Sequence, residues 1–188
     1  MPNFRRFWIP GGTFFFTVVT AGRAPLFRDE SARKLLGNAF RQELLLRPFS
    51  TVAIVLLPEH LHALWTLPAG DFDFSTRWSS IKSRFTREWL ASGGSEQKVP
   101  DGQRRQERRG VWQARFYEHT IRDEDDLIQH VDYIHFNPVK HYLTNCPSDW
   151  EWSTFRRYVQ QGDYPMDWSC SGLGGAPQFS RIDSHRIE

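Results

Sequence analysis

Strand-like and helix-like segments follow one another along this chain in an order that few folds accommodate. Residues 13–20 are rich in β-branched and aromatic side chains behind Gly11-Gly12, which predicts a first, central strand. Arg28-Asp-Glu-Ser31 opens a helix to about Arg47, with Ser31 a candidate N-cap. Ala32, Leu35, Leu36, Ala39 and Phe40 recur there at helical spacing, and Pro48 ends the run. Residues 49–57 read as a second strand, Pro58-Glu59 as a tight connection and residues 60–67 as a third strand. Residues 74–90 form a second helix with Phe74, Trp78, Ile81 and Phe85 on one side, and a polar loop follows at 91–110. A strand with its approach is expected over 112–121. A third helix runs from Asp123 to about Asn137, begun by acidic residues and stopped by Pro138. The order β-α-β-β-α-β predicts an α+β, ferredoxin-like antiparallel sheet with helices packed on one face.

Composition narrows the class. The 188 residues suit a main domain, placed at 1–145, with a C-terminal part at 146–188. That part holds an aromatic segment, 150–158, and a Gly/Ser-rich tail after Asp167 that is expected to be flexible. Cys146 and Cys170 form no C-x-x-C pair and suggest no disulfide framework, so a reducing cytosol is expected. The N-terminus shows no signal-peptide pattern, and the longest apolar run, 52–57, is strand-sized; neither export nor a membrane span is expected. The net charge of +2 is too small to decide for or against nucleic acid, so the placement of charge must decide. There is no Gly-rich phosphate loop, nucleophile elbow or kinase-like set.

Three patterns carry chemistry. In Pro58-Glu-His-Leu-His-Ala-Leu-Trp65, a strand points His60 and His62 to the same face, where two neutral imidazoles can chelate one divalent ion; two histidines bonded to neighbours is the plainer alternative. On the third helix Gln129, Tyr133 and Asn137 stack at i, i+4, i+8, a polar face unusual for a core helix. Tyr133 is either an ordinary amphipathic aromatic or a nucleophile, the latter needing a polarised phosphate and in-line placement. Finally, cations and rings interleave: Arg77, Lys82, Arg84 and Arg87 on the second helix, then Lys98, Arg104, Arg105, Arg108 and Arg109, then Trp112, Arg115, Phe116 and Tyr117. Arg5 and Arg6 near the start extend the set. Such a surface suits unpaired nucleic acid, through phosphate attraction and stacking, unless it is only solvated surface.

Taken in order, these blocks resemble the REP-associated tyrosine transposases, within the HUH single-strand endonucleases related to small insertion-sequence transposases. The resemblance spans residues 4–168. It rests on Arg5-Arg6 with Gly11-Gly-Thr-Phe-Phe-Phe-Thr17, Leu57-Pro-Glu-His-Leu-His-Ala-Leu-Trp-Thr-Leu-Pro68, Phe74-Ser-Thr-Arg-Trp78, Trp112-Gln113 with Arg115-Phe116, Val131-Asp-Tyr-Ile-His-Phe-Asn-Pro-Val-Lys-His141, and Asp149-Trp150 through Phe155.

The resemblance implies that residues 1–145 form an HUH catalytic domain. His60 and His62 would be the HUH pair, Tyr133 the catalytic tyrosine, and Asn137 a third metal ligand, with Gln129 and His130 as alternatives. The cofactor would be Mg²⁺ or Mn²⁺. The substrate would be single-stranded DNA carrying repetitive extragenic palindromes, folded as hairpins beside a short guide sequence. The product would be a 5′-phosphotyrosine linkage and a free 3′-hydroxyl, later rejoined without ATP. Monomer and dimer both fit, and the expected location is the cytoplasm, with the nucleoid. Two other readings are a DNA-hairpin-binding protein without catalysis, and a metal-dependent hydrolase that activates water.

Overall fold

In a computed structural model, residues 9–99, 109–172 and 177–182 are described. Four antiparallel strands, β1 (Thr13–Val19), β2 (Ser50–Leu56), β3 (His60–Thr66) and β4 (Tyr117–Thr120), pair in the order β2-β3-β1-β4. This is the predicted ferredoxin-like α+β sheet, with β1 central. The last strand is shorter than expected. Its approach instead runs past the end of β1, where the Ala21 and Gln113 amides donate to the Val111 and Val19 carbonyls at 2.9 Å.

Helices α1 (Glu30–Leu46) and α2 (Phe74–Ala91) cover one face of the sheet, as predicted for the two crossovers. Phe14, Phe16, Leu61, Ala63 and Trp65 supply the sheet side of that core, and Trp65 stacks on Trp78 at 4.2 Å. The N-cap of α1 is Asp29 rather than Ser31: its carboxylate accepts from the Ser31 and Ala32 amides.

Almost every residue of β1 is buried, so both faces of the sheet need cover. The second cover is α3 (Glu124–Lys140), whose Val131, Tyr133 and Ile134 pack on Phe15, Ala53, Val55 and Leu64. Asp123 caps it, accepting from the Asp126 amide, and the acidic residues Glu124, Asp125 and Asp126 fill its first turn. Pro138 does not end this helix, which continues to Lys140. Proline forfeits one amide, but the His141 amide still reaches Asn137 O at 3.0 Å and the Leu143 amide reaches Pro138 O at 2.9 Å.

The C-terminal part closes the open edge of β2. The Leu56 amide donates to Trp152 O, the Thr154 amide to Ile54 O and the Tyr158 hydroxyl to Val52 O, before and within the short helix α4 (Phe155–Gln161). One expectation fails here. Cys146 and Cys170 are joined in a disulfide closing a 24-residue separation, which by loop entropy contributes about 3–4 kcal/mol. The tail, where described, lies against the body: Ile182 is buried, Arg181 pairs with Asp123 at 2.6 Å, and Phe179 packs on Phe136. Both features were hidden for one reason, that cysteines or rings distant in sequence meet only once the chain has wrapped around α3.

No helix among the described residues is long and apolar enough to cross a membrane.

Candidate active site

Strand alternation sends Leu61 into the core shared with α1 and α2, and turns His60 and His62 toward α3. The two imidazoles are almost completely buried and their Nε2 atoms face one another at 3.2 Å. Each ring is held from behind. The Glu59 carboxylate lies 2.9 Å from His60 Nδ1 and, being kept below its usual pKa first by that hydrogen bond, can only accept, so His60 Nδ1–H is the donor and Nε2 is left turned toward His62. Thr17, opposite His62 in the β1–β3 register, reaches His62 Nδ1 at 2.8 Å. Burial holds the His62 pKa well below the ordinary value, so this ring is neutral. The Thr17 hydroxyl suits either tautomer. It can donate to Nδ1 while Nε2–H bonds to His60, or accept from Nδ1–H while both Nε2 lone pairs turn to a shared cation.

Across from the pair, the Tyr133 ring stands 5.2 Å from the His62 ring, edge to face, and is 1% exposed. Asn137, one turn further on α3, is wholly buried, and neither its Oδ1 nor its Nδ2 has a protein hydrogen-bond partner. A buried carboxamide left unpaired costs roughly 1–3 kcal/mol. A carboxamide oxygen on the turn after Tyr133, on the helix that faces the two imidazoles, belongs with them to the kind of donor set that suits a divalent ion. The residues present therefore fit a metal.

The alternatives on α3 are engaged elsewhere. Gln129 Oε1 accepts from the Arg181 amide at 3.1 Å and so holds the tail. His130 belongs to a second cluster with His119 and Asp126, whose ligand atoms lie within 4.8 Å of one another. Asp126 there already binds Arg122 through both carboxylate oxygens and His119 at 2.9 Å. Despite its burial, those hydrogen bonds keep the Asp126 carboxyl far below the usual range, while burial lowers His130 to about 4. This network fastens β4 to the start of α3.

Three neighbours were missed from the sequence. Glu59 and Thr17 orient the histidines, and Lys140 Nζ lies 3.4 Å from the Tyr133 hydroxyl and 4.8 Å from the centre of its ring. A helix stopped at Pro138 would not include Lys140, which at i+7 shares the face of Tyr133. His141, its ring 5.3 Å from that of His60, closes the same end.

Of the expected basic and aromatic surface, Arg77 and Trp112 lie in the interior, while Arg109 and Arg115 are exposed. Arg77 is 2% exposed and binds Asp71 at 2.7 Å together with the carbonyls of Arg47, Pro48 and Asp73, tying α1 to α2. Trp112 is a core ring beside Phe27 and Phe85, and Phe116 packs on Phe16 and Trp78. Lys82 donates to Gln113 O, Arg109 forms a paired contact with Glu96, and Arg84 is half-buried. Arg115 is exposed. Arg5, Arg6, Arg104, Arg105 and Arg108 lie outside the described residues.

Fold and site together define an α+β sheet protein in which a buried imidazole pair faces a tyrosine carried by the helix on the opposite side. No known family profile matches the chain. It is, however, 43% identical over 169 residues to the REP-associated tyrosine transposase of Escherichia coli K12, covering 90% of this chain and 92% of that one. It is 38% identical to a Haemophilus influenzae relative placed in the same family, over 95% of this chain and 97% of the relative. Among solved structures it superposes, with a TM-score of 0.76 and 42% identity over 96% of both chains, on a REP-associated tyrosine transposase bound to a REP hairpin. The chain belongs to the REP-associated tyrosine transposase family.

Proposed function

We propose that this transposase cleaves and rejoins single-stranded DNA at hairpins of repetitive extragenic palindromes, with Tyr133 as the nucleophile and His60, His62 and Asn137 holding Mg²⁺ or Mn²⁺. The observation that carries this reading is the pair of facing Nε2 atoms at 3.2 Å with the Tyr133 ring 5.2 Å from one of them. The bound ion would polarise the scissile phosphate and offset charge in the transition state.

The chain's own residues supply the rest. Glu59 and Thr17 hold the imidazoles from behind, so that both Nε2 atoms are directed at one point. Lys140 stands where the Tyr133 phenolate develops and compensates its charge. As the Tyr133 oxygen bonds to phosphorus, the bond to the 3′-oxygen breaks, leaving a 5′-phosphotyrosine and, with one proton taken up, a 3′-hydroxyl. The reverse attack by a 3′-hydroxyl expels Tyr133 and rejoins strands. The hairpin partner is supported by the solved relative, and the exposed Arg115 offers phosphate contact.

A denaturing gel of the protein with hairpin oligonucleotides cut from its gene's flanks tests the reading. A covalent adduct is expected. Binding without adduct would favour a non-catalytic hairpin protein, and cleavage without adduct a hydrolase.

A further inference from the structure

On the face of the sheet away from His60 and His62, α1 and β2 border an open cleft of about 520 Å³, within the span of small-ligand sites, roughly 300–1,000 Å³. Its origin lies in the sequence of α1. Arg33, Gly37, Phe40 and Leu44 recur along one stripe of the helix, and at Gly37 the stripe has no side chain. Glycine inside a helix is unfavourable and needs a reason. Packing gives none, because a Cβ added at Gly37 would meet only Arg41 Nη1, at 3.5 Å. The missing side chain leaves a notch whose floor is Phe40, Ile54, Leu56 and Leu61.

The rim has a definite chemistry. Trp152, 37% exposed, forms one wall, and the Arg33 guanidinium stacks over its ring at 4.4 Å while donating to Phe27 O and Arg28 O, both at 2.8 Å. That aromatic and cationic wall is fixed before any ligand arrives. Lys34 and Arg41 add two more cations against a single acid, Glu30, whose 2.7 Å contact with Lys34 is an exposed i,i+4 pair of little strength. A flat apolar body attached to a negative charge is what such a slot complements.

We propose that this notch takes one unpaired nucleobase of the bound DNA, stacked against Trp152, with its flanking phosphate on Lys34 and Arg41. The proposal rests on the DNA-hairpin reading above and extends it to a second contact. Leu61, on the cleft floor, is the residue between His60 and His62, so the slot and the candidate active site stand back to back through β3. A bound strand that passes from one face of the sheet to the other would contact both, and the seated base would fix which phosphate arrives at Tyr133.

The test uses the full chain and hairpin oligonucleotides with 2-aminopurine at each unpaired position in turn. One position should change fluorescence on binding to wild type. Gly37→Leu, which fills the notch, and Trp152→Ala should abolish that change and weaken binding roughly 5- to 150-fold, the span of one base–aromatic stack. Gly37→Ala, which leaves most of the space open, should bind like wild type, and circular dichroism should show all three folded. Equal affinity for wild type, Gly37→Leu and Trp152→Ala, with adduct formation intact, would overturn the nucleobase slot and leave the transposase reading standing. Failure of wild type to bind any hairpin would overturn both.

Discussion

Lys140 Nζ lies 3.4 Å from the hydroxyl of Tyr133, two helical turns away on the same face of α3. A cation so placed favours the phenolate over the phenol. Hydrogen bonds to charged groups contribute about 1.5–3 kcal/mol, so Lys140→Met should slow adduct formation by roughly 10- to 100-fold. Lys140→Arg should recover most of the rate while leaving hairpin affinity unchanged. Single-turnover cleavage assays measure this; equal rates for Met and wild type would remove Lys140 from the chemistry.

The donor set makes a separate prediction. Activity should vanish in EDTA and return with Mn²⁺ or Mg²⁺, and His60→Ala and His62→Ala should each lose most of it. Glu59→Gln keeps every ligand but loosens the His60 ring, and should weaken Mn²⁺ binding by about 10- to 100-fold in calorimetric titration. Asn137→Ala should also weaken it. Full activity in thoroughly chelated buffer would contradict the site.

Stability should fall as the solution is acidified through pH 6. Burial lowers His130 to about 4 and His135 to about 3, so both stay neutral in the folded chain while the unfolded chain protonates them below about 6.5. For depressed histidine values the contribution is complete above the unfolded pKa and is lost as pH falls toward the folded one. Each should cost about 1.4 kcal/mol per pH unit between roughly 6 and 4. His135, ringed by Phe155, Tyr158 and Tyr164, is the one to replace: His135→Phe should reduce the slope by about one proton in denaturant melts across pH.

Access to Tyr133 should depend on the tail. The Phe179 ring meets the Tyr133 ring edge-on at 5.3 Å, and Tyr133 is 1% exposed. Phe179→Ala should therefore speed adduct formation, and Arg181→Ala, which frees the segment from Asp123, should act in the same direction. Slower reaction in both would mean that the tail helps to build the site.

What was legible in the sequence follows from how local each signal is. The order of elements, the shared face of His60 and His62 and the helical stripe of Tyr133 and Asn137 depend on periods of two and 3.6 residues, and these survive folding. The charge of a residue does not reveal its surroundings. Arg77 reads as a surface cation on a basic helix, yet it spans two helix ends in the interior. Trp112 reads as a stacking platform, yet it fills the core beside Phe85. Lys140 was obscured by the rule that proline ends helices, which fails here because later amides take over the last turn. The Cys146–Cys170 bridge and the Phe179 contact are products of tertiary wrapping with no local signature.

The nucleophile is the central claim, and one gel tests it most directly. Wild type and Tyr133→Phe are incubated with a labelled hairpin bearing a single-stranded flank, in Mn²⁺, and resolved under denaturing conditions. The Phe variant keeps the ring that packs on Phe15 and His62 and loses one hydroxyl, so it should fold and bind the hairpin nearly as well. Wild type should yield a covalent protein–DNA band and a free 3′-hydroxyl fragment, and Tyr133→Phe neither. An adduct of equal yield in Tyr133→Phe would place the nucleophile on another residue and contradict the account.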